Sequence, residues 1–382
     1  MFDRNKLNYF KRLWMNLDKK IFFIFLFYTF LGCLFIFTTS IPVAERIDVD
    51  TYFFIKKQII YLFLSLGIGF SILVLGDFLN IKIITLCFVS LLFMLLLVNI
   101  TGFATKGARR WLYIAGFSIQ PSEIIKPFWV LITSYILYIS KNLPDFIKII
   151  LSSIPLIIVS IFLYLQPDIG ILILLFCVYI SLIFLSNIKL KNIIIIGFTF
   201  LGILFLSYLT LSHVKNRINT YFLSLKSSKN MSYQVSTSLK AYKNSGYFGT
   251  GLLNGEVKKI IPDTHTDFIF PSIVEEFGFL FTLTILCLLM YVVIRIFIIA
   301  YQNRENTFKF LSINGLNILI VYQTFINIGV TLNLLPTKGM TLPFFSYGGS
   351  SLIGVIITSS LILNYTKKTY NSSCDLCDVL EM

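Results

Sequence analysis

Residues Pro262–Leu280 read PDTHTDFIFPSIVEEFGFL. Asp263, His265 and Asp267 stand directly before a run apolar enough to enter a bilayer, which continues to about residue 299. Such a run crosses hydrocarbon as a helix, because an unpaired backbone group in lipid costs several kcal/mol. The alternating ~10-residue strands of a membrane barrel are absent from the sequence. With 57% of the 382 residues hydrophobic and only 13% charged, most of the chain cannot face water. Runs of the ~17–25 residues that span a bilayer occur about ten times, near 21–41, 57–76, 81–101, 121–140, 146–165, 168–186, 192–212, 273–299, 310–333 and 346–365. The run at 121–140 contains charges, and that at 168–186 is short.

The expected fold is an all-α polytopic membrane protein of about ten transmembrane helices. A large extracytoplasmic loop, 213–271, separates the seventh and eighth spans, and both termini are cytoplasmic. Residues 1–20 form a cytoplasmic N-terminal segment, 21–365 a single membrane domain and 366–382 a cytoplasmic tail. No cleavage site follows the first span, so it reads as a retained helix. Orientation follows the Lys and Arg of short loops. Arg4, Lys6, Lys11, Arg12, Lys19 and Lys20 precede the first span, and Lys141, Lys148, Lys189, Lys191, Arg304, Lys309, Lys367 and Lys368 fall on the same side. Two outer segments run against this pattern. The long loop carries eight bases between Lys215 and Lys259, which loops of that length translocate regardless of charge. The short segment TGFATKGARRWLYIAGFSIQPSE, with Lys106, Arg109 and Arg110, reads as an anion site.

Other chemistries find little support. Cys33, Cys87, Cys177 and Cys287 fall in apolar runs, and Cys374 and Cys377 form a lone Cys-x-x-Cys without the second half of a zinc site. His213 and His265 are the only histidines, too few for a histidine metal cluster. Gly249, Gly251 and Gly255 follow no expected strand, so they read as turn residues. No internal repeat of a transporter type is visible.

Charges within or beside the membrane are functional candidates by default. Glu123 and Lys126 share a helix face, where a structural ion pair and an anion site are both open. Pro121 suits a first helical turn and Pro127 a kink. Asp168 begins a helix after Gln166 and Pro167, either as an N-terminal cap or as part of a site. Asp267 lies where the outer loop dips back to the membrane, so it reads equally as a poised base or as a helix cap. Lys338 and the Pro, Gly and Ser residues around Ser346 read as re-entrant backbone lining a cavity. The cations and irregular backbone gathered on one face would suit an anionic, lipid-linked substrate.

The motifs KGARRW (106–111), IQPSEIIK (119–126), QPDIG (166–170), PDTHTDFIF (262–270), VEEFG (274–278) and LPTKGMTLPFFSYGGSS (335–351) occur in the order and spacing of one family. Over roughly residues 20–365 the chain resembles the SEDS (shape, elongation, division and sporulation) proteins. YQVSTSL near 233 and PTKGMTLP before SYGGSS look more like the division branch than the elongation branch. The resemblance implies a peptidoglycan glycosyltransferase that polymerises lipid II at the outer face of the bacterial inner membrane, at the division septum, with inversion at the donor anomeric carbon. It matches Asp267 to the family's essential aspartate, Arg110 to its motif arginine, and Glu123 and Lys126 to its charged pair. Gln166, Asp168, His265, Lys338 and Ser346 complete the candidate substrate-binding set. No resident cofactor is called for, although a divalent cation, Mg or Mn, could accompany the lipid pyrophosphate. Implied partners are lipid II, a class B penicillin-binding transpeptidase with other divisome proteins, and the membrane, but no nucleic acid. The outer surfaces of the eighth and ninth spans are the expected transpeptidase contact. Ile171, Asp263, Thr237 and Pro127 depart from the family pattern, which bears on fine substrate contacts more than on reaction class. The alternatives are a lipid II flippase, which would use the same cationic cavity, and a septal scaffold that activates the transpeptidase.

Overall fold

Each apolar run becomes a helix, and the helices end where the sequence supplies a cap or a break. The computed structural model describes residues 9–105, 108–114, 116–210, 212–226, 231–337 and 339–367. Arg4, Lys6, Lys106, Lys338, Lys368, Cys374 and Cys377 lie outside the described residues. The short α1 (Tyr9–Asn16) precedes α2 (Lys19–Arg46), whose first turn is capped by Asp18 accepting from the amides of Lys20 and Ile21. Then come α3 (Phe53–Val74), α4 (Ile81–Thr101), α5 (Pro121–Ile139), α6 (Asp145–Leu165), α7 (Ile169–Leu185) and α8 (Leu190–Thr210). Outside the membrane runs lie α9 (Ser212–Lys226) and α10 (Tyr233–Asn244), followed by α11 (Ile269–Gln302), α12 (Thr307–Thr331) and α13 (Gly349–Tyr365). Among the described residues, eight helices are long and apolar enough to cross a membrane, and α7 and α13 are shorter apolar helices. The chain is a polytopic, helical membrane protein.

The basic segment between α4 and α5 adds an element that the apolar pattern does not announce. It folds as β1 (Phe103–Thr105), β2 (Ala108–Ile114) and β3 (Phe117–Ile119), an antiparallel sheet in the order β1-β2-β3. Phe103 pairs with Trp111, and Leu112 with Ile119. Gly116, at φ 82°, makes the tight connection from β2 to β3.

Burial sorts the helices. Two-thirds of the span is buried in α5 and α12 (67% each) against 17% in α8, so the two helices with polar residues form the centre. α8 leans outward and packs chiefly on α7 and α9. The opposite end of the bundle is tied by Arg295 of α11, which donates to both oxygens of Asp18 (2.9 and 2.6 Å to Oδ2 from Nε and Nη2). Between α12 and α13 the backbone is irregular, with Phe344 at φ 69°, and is tolerated because it is packed inside the bundle. Gly32 of α2 is where this segment approaches most closely, since a Cβ there would stand 2.0 Å from the Phe344 carbonyl oxygen.

Gly32→Ala therefore forces α2 away from the irregular segment. We expect a loss of about 1–3 kcal/mol, the usual cost of overpacking, in denaturant unfolding of the detergent-solubilised chain. Gly67→Ala, which meets nothing within 4 Å, serves as the neutral comparison.

Candidate active site

The site is assembled around the start of α5. Pro121 occupies the first helical turn, and the preceding Gln120 amide donates to Ser350 Oγ at 2.7 Å. Pro127 has no N–H to offer the Glu123 carbonyl, and α13 packs against that carbonyl through Gly354, where a Cβ would come within 2.7 Å. α5 runs on across Pro127 to Ile139. Lys126 donates to Glu123 Oε2 at 2.7 Å and to Gln323 Oε1 of α12 at 2.8 Å. With side-chain exposures of 3% and 8%, Lys126 and Glu123 are a buried pair, so Lys126 acts inside the wall rather than as an open clamp.

The central helix α12 carries this anchor to the candidate base. Gln323 Nε2 donates to the Thr341 carbonyl (3.1 Å) and hydroxyl (3.2 Å). One turn later, Asn327 Nδ2 donates to the carbonyls of Asp267 (2.9 Å) and Met340 (2.6 Å). Ser346 Oγ donates to the Thr266 carbonyl at 2.6 Å and accepts from the Leu342 amide at 2.7 Å. The Tyr347 amide donates to the His265 carbonyl at 2.8 Å. Asp267 thus sits in a turn pinned from both sides. Its carboxylate rests against Gly339, where a Cβ would lie 2.8 Å from Oδ2. The cap position of α11 is Phe268, which makes no side-chain cap bond, and Asp267 stands one residue before it.

Other predicted residues divide between scaffold and opening. The His265 ring packs on Phe54 (4.6 Å between centroids) and Tyr347 (5.4 Å). Gln166 is buried and its side chain donates to the Leu95 carbonyl at 3.3 Å, which makes it a brace rather than a surface for substrate. Arg110 of β2 donates to the carbonyls of Gln166 (3.1 Å, from Nε) and Pro167, and stands 3.7 Å from Asp168 Oδ2. Asp168 occupies the cap position of α7, makes no side-chain cap bond there, and faces Arg110 instead.

Arg217 of α9 was not singled out by sequence, being one base among eight in a long loop. Burial and then the Arg110 charge disfavour its cationic form, while Asp168 and Asp267 favour it, with a net lowering. A guanidinium nevertheless stays protonated. Arg110, Arg217, Asp168 and Asp267 therefore share one electrostatic field. Arg217 is accessible yet surrounded by protein because it lines a cavity of about 270 Å³, with Pro167, Ile169, Ile326, Leu335 and Thr337. Gln323 and Asn327 were also missed, though two amides four apart in an apolar run were a legible signal. Among the described residues, no group of three His, Cys, Asp or Glu could hold a metal ion.

The family model for cell cycle proteins of the FtsW, RodA and SpoVE type matches residues 18–371. The chain belongs to this family. A probable peptidoglycan glycosyltransferase FtsW from Wigglesworthia glossinidia brevipalpis is 33% identical over 357 residues, covering 91% of this chain and 92% of the relative. The FtsW of the same description from Marinomonas mediterranea is 34% identical, covering 85% and 81%. Two solved structures share the family fold. A chain of a peptidoglycan synthase complex that coordinates polymerization and crosslinking superposes with a TM-score of 0.73 at 22% identity, over 92% of this chain and 98% of that one. RodA of Thermus thermophilus gives 0.66 at 23%, over 92% and 97%.

Removing one partner of a buried pair strands the other charge, at a cost of about 3–5 kcal/mol. Lys126→Met should lose stability on that scale in detergent unfolding, and Glu123→Gln combined with Lys126→Met should recover most of it. Equal instability of the single and double variants would refute the pair as a structural anchor.

Proposed function

We propose that this chain is a peptidoglycan glycosyltransferase that polymerises lipid II into β-1,4 glycan strands during cell division. The observation that carries the reading is the Asp267 carboxylate, half-buried in a pinned turn and sharing a field with Arg110 and with Arg217, which lines an apolar cavity. A lipid-linked sugar donor leaves as a polyprenyl pyrophosphate. The bond from its anomeric carbon to the phosphate oxygen breaks as the acceptor hydroxyl oxygen bonds to that carbon. Asp267 takes the hydroxyl proton, and the two guanidinium groups stabilise the charge gathering on the pyrophosphate. Direct displacement inverts the anomeric centre, from an α-linked donor to a β-linked product. Asp168 and the carbonyls of Gln166 and Pro167 orient Arg110 for this task. A divalent cation, if used, would enter with the pyrophosphate, which supplies its own oxygen ligands.

In this reading the end with the sheet, α9, α10 and Asp267 is extracytoplasmic, both termini are cytoplasmic, and the protein works in the inner membrane at the septum. The basic residues of the opposite end, Lys141, Lys148, Lys189 and Lys191, support that orientation. A class B penicillin-binding transpeptidase is the natural partner, since a glycan polymer needs crosslinking and a structural relative belongs to a synthase complex that does both. Because α12 is central, the contact narrows to α11, whose Leu280, Leu283, Met290, Ile294 and Ile298 are exposed.

Asp267→Asn keeps shape but cannot accept a proton, so polymerisation of lipid II by the reconstituted chain should fall by ~10²–10⁴ while lipid II binding persists. A folded variant polymerising within a few-fold of normal would remove Asp267 as the base, and lipid II flipping without glycan chains would favour a transporter. For orientation, Lys240→Cys and Lys141→Cys are placed singly in a chain lacking its other cysteines. In intact spheroplasts an impermeant thiol reagent should label the first alone, and labelling of the second would reverse the assigned topology.

A further inference from the structure

The segment 246–259 and the beginning of α11 hold a set of buried contacts that the reaction above does not use. α11 is broken at Gly278, whose φ of 83° and ψ of 170° are essentially open to glycine alone. The break separates an upper part, 269–277, starting beside Asp267, from a lower part, 279–302. Backbone groups freed at such a break need partners inside the protein, and the outer loop supplies them. The amides of Thr250 and Gly251 donate to the carbonyls of Glu275 (2.9 Å) and Glu276 (3.0 Å). In return, the amides of Phe279 and Leu280 donate to the carbonyls of Gly246 and Tyr247, each at 3.2 Å. This exchange requires two bare backbones in contact, because a Cβ on Gly278 would lie 2.4 Å from the Gly249 nitrogen.

Side chains reinforce the exchange. Glu275 accepts from the amides of Val257 (2.9 Å) and Lys258 (3.1 Å). Glu276 Oε1 accepts from the Leu253 amide at 3.1 Å and from the Lys258 ammonium, which also donates to the Thr38 carbonyl of α2 at 3.2 Å. Lys258 is 1% exposed and Glu276 2%, so neither charge has water to fall back on. Three elements meet at one ammonium: the loop, α2 and the upper part of α11.

We propose that Lys258, Glu275 and Glu276 form a latch that fastens the outer loop and α2 to the upper part of α11, and that Lys258 and Glu276 thereby act as positioning residues for Asp267. This rests on the reading of Asp267 as the base. With the latch closed, residues 269–277 cannot swing about Gly278, and the carboxylate stays against Gly339. With it open, the same glycine lets the upper part move and carries Asp267 out of line with the acceptor.

The test uses the full chain in lipid nanodiscs, with amide hydrogen exchange and lipid II polymerisation measured on the same preparations. Lys258→Met should speed exchange about tenfold or more both at 250–258 and at 266–270. It should lower kcat about tenfold or more with KM for lipid II within about threefold, the pattern of a misplaced base rather than a lost binding contact. Glu276→Gln added to Lys258→Met removes the stranded charge and should restore much of the protection and the rate, and Lys259→Met, at an exposed neighbour, should change neither. Native protection at 266–270 in Lys258→Met, loosened amides with unchanged kcat, or a double variant no better than the single would each overturn the latch. If the unsubstituted chain makes no glycan, the proposed function fails, and exchange at 266–270 then decides the latch by itself.

Discussion

The half of the bundle that holds Asp267 depends on where the Lys126 ammonium can go. A charge between packed helices needs a carboxylate and further acceptors at short range. Glu123, one turn away on α5, and Gln323 on α12 meet that need. The requirement brings the two central helices into register. From Gln323 the same register delivers Asn327 to the carbonyls of Asp267 and Met340. A buried pair of this kind adds little net stability, and its larger effect is to exclude other alignments of α5 and α12.

The arrangement has a fixed side and an open side. On the fixed side, Asn327 of α12 and Ser346 and Tyr347 of the irregular segment before α13 hold the backbone carbonyls of residues 265–267 with hydrogen bonds. A base at this position, as proposed, would need such support, since misplacement by about 1 Å is costly. On the open side, α8 and α9 are loosely joined to the rest, and Arg217 lines an apolar cavity large enough for part of a lipid. Rigid chemistry faces adaptable access.

Much of this was legible in the sequence. Bilayer length and apolarity set the spans, because lipid leaves a chain few choices. Asp267, Arg110 and Asp168 stood out as charges where charge is expensive. What stayed hidden has local causes. The sheet at 103–119 lies in a short mixed segment whose alternation is too brief to read. Lys258 looks like its neighbours in a lysine-biased loop, and only the fold tells a buried base from an exposed one such as Lys259, just as only the fold shows that Arg217 lines a cavity. Gln166, His265 and Ser346 were read as facing a substrate because they neighbour the motifs. Chain proximity cannot distinguish a side chain that points into a site from one that braces it.

The bidentate contact of Arg295 with Asp18 has a mechanical consequence. It ties the lower part of α11 to the start of α2, towards the other end of α11 from Asp267. α2 and the lower part of α11 are then tied to one another at this end. The compliance of the long helix then falls at Gly278, where the Lys258 contacts to Glu276 and Thr38 restrain the short arm that begins beside Asp267.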